Sequence, residues 1–227
     1  MATLLEGLIP KVVVYVEDYM GKFDGSHDFN HIKRVVGLSH TLYGSIVKAT
    51  PDSKLDINII TLSALLHDVG DRKYLKPGED SNTLVRNLLI SFGAPEHLAA
   101  RIQTICAGVS YTSEMKDPAY VLGLIEFYPE LAVVQDADRL DAIGAVGIGR
   151  LFTYGGARTS LDMQGSIAHF DKKLLLLETM MKTEPGLLLA KERTEILKQF
   201  AYDWEHEIAV QRVADDVLDG FAASKRP

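Results

Sequence analysis

The chain has 227 residues, of which 47% are hydrophobic, and this composition is ample for a continuous folded core. Its 24 Lys and Arg residues against 31 Asp and Glu residues give a formal net charge of −7, which argues against nonspecific binding to nucleic acid or to an anionic membrane. Cys106 is the one cysteine, and no apolar run approaches the roughly 20 residues of a membrane-spanning helix, so we expect neither an internal disulfide nor a membrane span. The N-terminal residues lack the basic start of a secretory signal, and we expect a cytoplasmic protein, with the nucleus as an alternative.

Apolar residues recur at spacings of three and four along most of the chain, and strand-like alternation is scarce. This pattern predicts an all-α fold, an irregular helical bundle. We expect helices over about residues 3–20, 28–49, 56–70, 129–143, 166–182 and 187–218, and one more that begins at Pro95. A break is expected at Pro185-Gly186, and the long last helix is expected to serve in packing or in a homodimer.

Four side chains that can bind a metal occur in segments predicted to be buried helix. His31 falls on the apolar stripe of the second helix, the His67-Asp68 pair ends the apolar third helix, and Asp138 follows Val134 by one turn. Isolated charges are costly in an apolar core, so these groups are expected to neutralise one another around a cation.

The mixed nitrogen and oxygen ligands favour a first-row divalent ion over calcium or a thiolate-bound structural zinc. Manganese is our first expectation, with magnesium, iron, cobalt, nickel or zinc as alternatives. Four protein ligands on an octahedral ion would leave two positions open, one for water and one for a phosphate oxygen. Such a site is catalytic.

Three segments, in this order, carry a resemblance to a known family. They are Ser26–Val35, Ala64–Asp71 and Ala137–Ala142, which contain the order His, His-Asp, Asp. The chain resembles the HD-domain metal-dependent phosphohydrolases, and in particular the small nucleotide-hydrolysing branch that includes pyrophosphohydrolases. This resemblance implies one domain over residues 1–227, with a motif core at about 20–145 and a helical extension at about 146–227.

The resemblance assigns the first ligand to His31, and His27 is the competing choice, with capping of the second helix as its other role. For the last ligand it selects Asp138, with Asp136 and Asp141 as alternatives. One ion per chain is expected, because only His97 lies in the interval where related phosphodiesterases place the extra histidines of a second metal site.

Asp71 follows the His67-Asp68 pair by one turn, where related phosphohydrolases carry an acidic residue near the reacting phosphate. The resemblance therefore implies that Asp71 is the general acid or base, and the alternative is a loop aspartate that caps the next segment. The candidate ligands of the substrate phosphate are Arg34, Lys73 and Arg139.

The expected function is hydrolysis of a small phosphorylated substrate, specifically a nucleotide. In the expected reaction, a nucleoside triphosphate is hydrolysed to a nucleoside monophosphate and pyrophosphate. A 5′-nucleotidase or other phosphomonoesterase is the second enzymatic reading. The third possibility is a binding protein and not an enzyme: a metal-stabilised regulatory module with little turnover. It stays open because a set of metal ligands alone does not prove catalysis.

The run Gly144–Arg150 is expected to serve close helix packing and not phosphate binding, since no strand precedes it. The segment Tyr154–Arg158 is expected to form a flexible rim over the pocket.

Overall fold

The helices of the computed structural model follow one another with short connections, and the structure describes residues 2–71, 75, 78–159 and 162–223. Within these ranges the fold is all-α, as predicted, and contains no strand. The α-helices are Ala2–Met20 (α1), Phe29–Ala49 (α2), Ile57–Leu66 (α3), Leu84–Ser91 (α4), Glu96–Val109 (α5), Tyr111–Lys116 (α6), Pro118–Phe127 (α7), Glu130–Asp141 (α8), Gly144–Arg158 (α9), Met163–Ile167 (α10), His169–Lys172 (α11), Glu184–Ile208 (α12) and Gln211–Ala223 (α13). A 3₁₀ helix covers Leu174–Met180. None of the helices in the described ranges combines the length and the apolar character that a bilayer crossing requires.

Helices α2, α3 and α8 form the centre of the bundle, where α2 packs against both of the others. Helix α1 covers α3, and α5 covers α3 and α8. Fully buried side chains at this centre include Ile32, Leu62 and Val134. The three central helices carry the three motifs, so the apolar core holds the motif residues close together.

Aspartate side chains define where two of the three motif-bearing helices, α2 and α3, begin. The Asp28 carboxylate accepts a hydrogen bond from the backbone N–H of His31 (3.1 Å), and Asp56 accepts from Asn58 N–H (2.8 Å) at the start of α3. Each side chain satisfies a backbone donor that the first turn of a helix leaves unpaired. Asp28, and not His27, is therefore the cap of α2.

The C-terminal third differs from its predicted helices. The single helix expected over 166–182 is divided into α10, α11 and the 3₁₀ helix, and the last helix is interrupted between α12 and α13. Pro185 lies in the first turn of α12, where the missing backbone N–H of a proline costs no hydrogen bond within the helix. The helix break therefore precedes Pro185, at Thr183. Helix α12 packs on α8 and α9, while α13 exposes Val213, Val217 and Phe221. The homodimer and the single-domain organisation stay predictions.

The glycine-rich run after α8 forms a close helix contact and no phosphate loop. Gly144 has φ +73°, in the left-handed region that favours glycine. A Cβ at Gly147 would lie 2.2 Å from the carbonyl oxygen of Ala142, so only glycine fits there. The close-packing prediction is confirmed. The segment Tyr154–Arg158, expected as a flexible rim over the pocket, is helical and ends α9, and its Tyr154 lines a cavity.

Candidate metal centre

The four predicted ligands come from three elements that meet in the core. His31 lies in the first turn of α2, Asp138 lies in α8, and His67 ends α3. The chain turns directly after Asp68, through Gly70 at φ +86°, a conformation that a side chain would strain. This turn allows two consecutive residues, His67 and Asp68, to face the same point.

The ligand atoms of the four residues converge. His31 Nε2 lies 3.2 Å from His67 Nε2, 3.2 Å from Asp68 Oδ2 and 3.6 Å from Asp138 Oδ1. His67 Nε2 lies 3.6 Å from both Asp68 Oδ1 and Asp138 Oδ1. Ligand atoms about 2.1 Å from a divalent ion lie roughly 3.0–3.4 Å apart, so these separations are close to those of a shared coordination sphere.

Hydrogen bonds fix which nitrogen of each imidazole faces the cluster. His31 Nδ1 donates to Asp141 Oδ2 (2.8 Å), and His67 Nδ1 donates to the carbonyl oxygen of Ala64 (2.8 Å). Both partners accept only, so each neutral ring carries its hydrogen on Nδ1 and its lone pair on Nε2. The two lone pairs then face each other at 3.2 Å, an arrangement that needs a cation or a proton between them.

Mutual charge pairing also shifts the ionisation of the cluster. Burial lowers the pKa of His67, but the carboxylates of Asp68 and Asp138 outweigh burial and raise this pKa to about 9. Burial raises the pKa values of the two carboxyls, yet His67 and His31 hold each pKa below its usual range. The carboxylates are therefore ionised and strongly attract positive charge.

The donor set fits a divalent metal ion. Asp68 Oδ2 is buried and takes part in no hydrogen bond, although it lies close to His31. An ionised oxygen without a partner is costly in a protein interior. Ligand atoms of His31, His67 and Asp138 lie within 4.8 Å of one another, and this mixed nitrogen and oxygen set, with Asp68 beside His31, suits a first-row divalent ion.

Asp141 lies behind His31 and is almost completely buried. Besides His31 it accepts hydrogen bonds from Arg34 Nε (2.7 Å), Arg34 Nη2 (3.1 Å) and Arg150 Nη1 (3.1 Å). Burial raises the pKa of Asp141, but the bonds from His31 and Arg34 outweigh it, so the pKa falls to about 2. This carboxylate orients the His31 ring and is not itself directed at the cluster.

An HD-domain family model matches residues 28–143, a range that contains all four clustered residues. This chain belongs to the HD-domain family. The resemblance noted in the sequence is thereby confirmed, and His31, His67 and Asp138 form a group that could hold a metal ion, which this family typically binds.

Relatives of this HD-domain protein cover almost its whole length. The Bacillus subtilis protein YpgQ is 33% identical over 204 residues, which are 87% of this chain and 92% of YpgQ. A crystal structure of YpgQ in complex with ADP has a TM-score of 0.68, with 34% identity and coverage of 91% of this chain and 97% of that one. A Bacillus thuringiensis HD-superfamily hydrolase has a TM-score of 0.64, with 28% identity and coverage of 89% and 97%.

Two of the predicted phosphate ligands have other partners in this HD domain. The Arg34 guanidinium is bound by Asp141, as described above. Arg139 is 3% exposed; it donates to the Glu114 carboxylate and to the carbonyl oxygen of Met180. The buried ion pair of Arg139 does not favour substrate binding. The Arg34 side chain is 35% exposed, and Asp141 binds only its Nε and Nη2, so its role as a phosphate ligand stays a prediction. The third, Lys73, lies outside the described residues.

The alternative ligands are also placed by their contacts. Asp136 accepts hydrogen bonds from the backbone of Lys182 and Thr183 (2.8 Å each), so it anchors the segment before α12. The His27 ring centroid lies 6.0 Å from that of His31, and His27 Nδ1 lies 2.8 Å from Ser26 Oγ. Neither residue belongs to the cluster.

Asp71 lies beside the cluster, in the turn that follows the His-Asp pair. Its backbone N–H donates to the Asp68 carbonyl oxygen (3.2 Å), and its side chain is half-buried. This contact places the Asp71 backbone in the turn after Asp68, and its role as general acid or base stays a prediction.

The sequence interpretation did not identify the role of Asp141 or the pairing of Arg150 with it. A weak signal existed for Asp141, which follows Asp138 by three residues and shares its helix face. No spacing signal connects Arg150 to His31, because the two meet only through tertiary packing.

Proposed function

We propose that this protein is a metal-dependent phosphohydrolase that converts nucleoside triphosphates and water into nucleoside monophosphates and pyrophosphate. The observation that carries this proposal is the convergence of His31, His67, Asp68 and Asp138, with a buried oxygen of Asp68 3.2 Å from His31 Nε2. The ADP complex of YpgQ supports a nucleotide ligand, and the HD-superfamily hydrolase from Bacillus thuringiensis supports hydrolysis as the reaction.

The side chains have distinct roles in this proposal. The four clustered residues hold one divalent ion, with manganese as the preferred metal, and Asp141 keeps the His31 ring in place through its hydrogen bond to Nδ1. When bound, the ion supplies Lewis-acid activation of water and of the phosphoryl group. Arg34 and Arg150 neutralise Asp141, so that the site retains its geometry without a surplus of negative charge.

The reaction requires a proton acceptor or donor at the α-phosphate. Water adds to the α-phosphorus, the bond from that phosphorus to the bridging oxygen breaks, and pyrophosphate departs with the bonding electrons. We assign the proton transfer to Asp71, because it follows Asp68 by three residues, at the position where related phosphohydrolases carry an acidic residue near the reacting phosphate. Lys73 stays a proposed phosphate ligand.

An Asp71→Asn variant tests the assignment. We expect kcat to fall by about 10²–10⁴-fold, the usual contribution of a general acid or base, with metal content unchanged. Steady-state kinetics and metal analysis measure both quantities. If kcat stays within threefold and the melting temperature falls instead, Asp71 is a capping residue.

A panel of nucleotides tests the function itself. The full chain is incubated with manganese, magnesium or cobalt and with each nucleoside triphosphate, diphosphate or monophosphate, and the products are identified by chromatography. We expect monophosphate and pyrophosphate in a 1:1 ratio from triphosphates. Release of inorganic phosphate from monophosphates would instead indicate a 5′-nucleotidase, and metal binding without any turnover would indicate a regulatory module.

A further inference from the structure

The backbone turn after His67-Asp68 is hydrogen-bonded to a side chain from another helix. The N–H of Gly70 donates to the hydroxyl oxygen of Tyr19 (3.3 Å), which lies in the last turn of α1. Both residues are buried, and Tyr19 is 4% exposed. Tyr19 lies outside the three motif segments and outside residues 28–143, which the family model matches. The predicted ligands are thus connected to a helix that carries none of them.

This hydrogen bond lies where the chain leaves the helical path of α3. In a continuing α-helix the Gly70 N–H would donate to the carbonyl oxygen of Leu66, but that oxygen accepts from the N–H of Val69 (3.0 Å). Consecutive helix residues point about 100° apart, so the His67-Asp68 pair can face one ion only where the helix is broken. The hydroxyl from α1 satisfies the buried donor that the broken helix leaves over.

The ring that carries this hydroxyl is fixed by its aromatic neighbours. Tyr19 stacks on Tyr15, with ring centroids 5.9 Å apart and planes inclined by 21°. Phe23 meets the Tyr19 ring edge-on, with centroids 5.4 Å apart. Helix α1 packs along α3, so the ring and the turn belong to two elements in contact. A hydroxyl held in this way defines one position for the Gly70 N–H.

The opposite side of the turn is also closed. Gly70 has φ +86°, and a Cβ at this position would lie 3.3 Å from Leu84 Cδ2 and 3.7 Å from Ser81 Cα. Leu84 begins α4. The turn is therefore enclosed between the Tyr19 hydroxyl and the start of α4, and loss of the hydroxyl would release it on the α1 side.

The Tyr19 hydroxyl also lies in the field of acidic groups near the site. Burial raises the pKa of Tyr19, and the charges of Glu79, Asp68 and Asp71 raise it further, against the lowering effect of the Gly70 N–H. The phenol therefore stays neutral. It accepts a hydrogen bond without adding negative charge beside the clustered carboxylates.

We propose that Tyr19 is a positioning residue of the metal centre, whose hydroxyl holds the turn at Gly70 and thereby keeps Asp68 directed at His31 and His67. Tyr19 acts through the backbone and contacts neither the ion nor the substrate. The inference deepens the proposed function, and only its kinetic consequence rests on that function, because metal binding can be measured without turnover.

A Tyr19→Phe variant tests the inference, since it removes the hydroxyl and keeps the ring. Tyr15→Phe is the matched control, because it removes a hydroxyl from the stacked ring one turn earlier on the same helix. Co²⁺ alone is titrated into the full metal-free chain by calorimetry and by visible absorption, because its d–d bands depend on the number and geometry of its ligands. We expect Tyr19→Phe to bind Co²⁺ at least about fivefold more weakly with altered bands, and Tyr15→Phe to stay within about twofold.

Hydrogen exchange of the Gly70 amide, followed by NMR in the metal-free chain, measures the hydrogen bond itself. We expect exchange to be at least about tenfold faster in Tyr19→Phe and unchanged in Tyr15→Phe. The melting temperature of each variant, measured alongside, detects a general loss of stability. This readout depends on neither metal nor turnover.

The kinetic consequence is a lower kcat. With saturating metal, Tyr19→Phe should reduce kcat for a triphosphate by about five- to tenfold and leave KM within about threefold, because no substrate contact is removed. If Co²⁺ affinity and bands match the wild type, the inference is wrong, even where Gly70 exchange rises or the melting temperature falls; Tyr19 is then a packing residue and the proposed function is unaffected. If Co²⁺ binding depends on the Tyr19 hydroxyl but the wild-type chain hydrolyses no nucleotide, the inference stands and the proposed function fails.

Discussion

A His67→Ala variant is expected to lose its bound metal and roughly 10³-fold of its nucleotide hydrolysis, equivalent to about 4 kcal/mol of transition-state stabilisation. His67 Nε2 lies within 3.6 Å of the other three clustered side chains, so the substitution removes one nitrogen ligand from the proposed ion site. The carboxylates of Asp68 and Asp138 would also lose the imidazole that neutralises them. Metal content by mass spectrometry and steady-state kinetics measure the two losses.

His97→Ala is the matched control for this variant. His97 is exposed on α5, and it is the one histidine between the His-Asp pair and Asp138 in the sequence. We expect the control to keep one metal per chain and full activity. A His67→Ala protein that retains metal-dependent turnover would remove the proposed mechanism, and a loss of metal in His97→Ala would point to a second ion.

Replacing Glu114 by alanine should destabilise the fold by about 3–5 kcal/mol, the usual result of leaving buried charges without a partner. Glu114 is buried; it accepts a hydrogen bond from Arg139 and pairs with Lys182 Nζ at 2.7 Å. Arg139 is itself 3% exposed and cannot turn into solvent without disrupting α8. Urea denaturation followed by circular dichroism measures the change in the free energy of unfolding.

Glu126→Ala provides the comparison, since Glu126 is an exposed acid on the neighbouring helix α7 and should change stability by less than about 0.5 kcal/mol. The experiment also separates the two readings of Arg139. If Arg139 bound substrate, Glu114→Ala would raise the KM for nucleotides and leave the unfolding free energy near that of the wild type. The buried ion pair predicts the opposite result.

The metal cluster could be predicted because its position depends on short-range patterns. Helix phase placed His31 and Asp138 on apolar faces, and the end of an apolar run marked His67-Asp68. Each pattern spans one or two turns, and the core then holds the three helices together.

The partners of the arginines could not be predicted in the same way. A guanidinium reaches several ångströms from its backbone, so its partner depends on which distant element packs there; Arg34 meets Asp141 across 107 residues of sequence. The division of 166–182 into short helices has a similar origin, because tertiary contacts outweigh helix propensity in a segment this apolar.

The corner between α8 and α9 limits how this protein can diversify. At Gly147 a single methyl group would overlap the carbonyl oxygen of Ala142, so any larger residue must displace α9. Arg150 lies one turn further along that helix and would move with it, away from both Ser26 and Asp141. The absence of a side chain at Gly147 thus keeps α9 where Arg150 reaches Asp141, the carboxylate behind His31, and mutational tolerance at Gly147 should be as low as at the predicted ligands themselves.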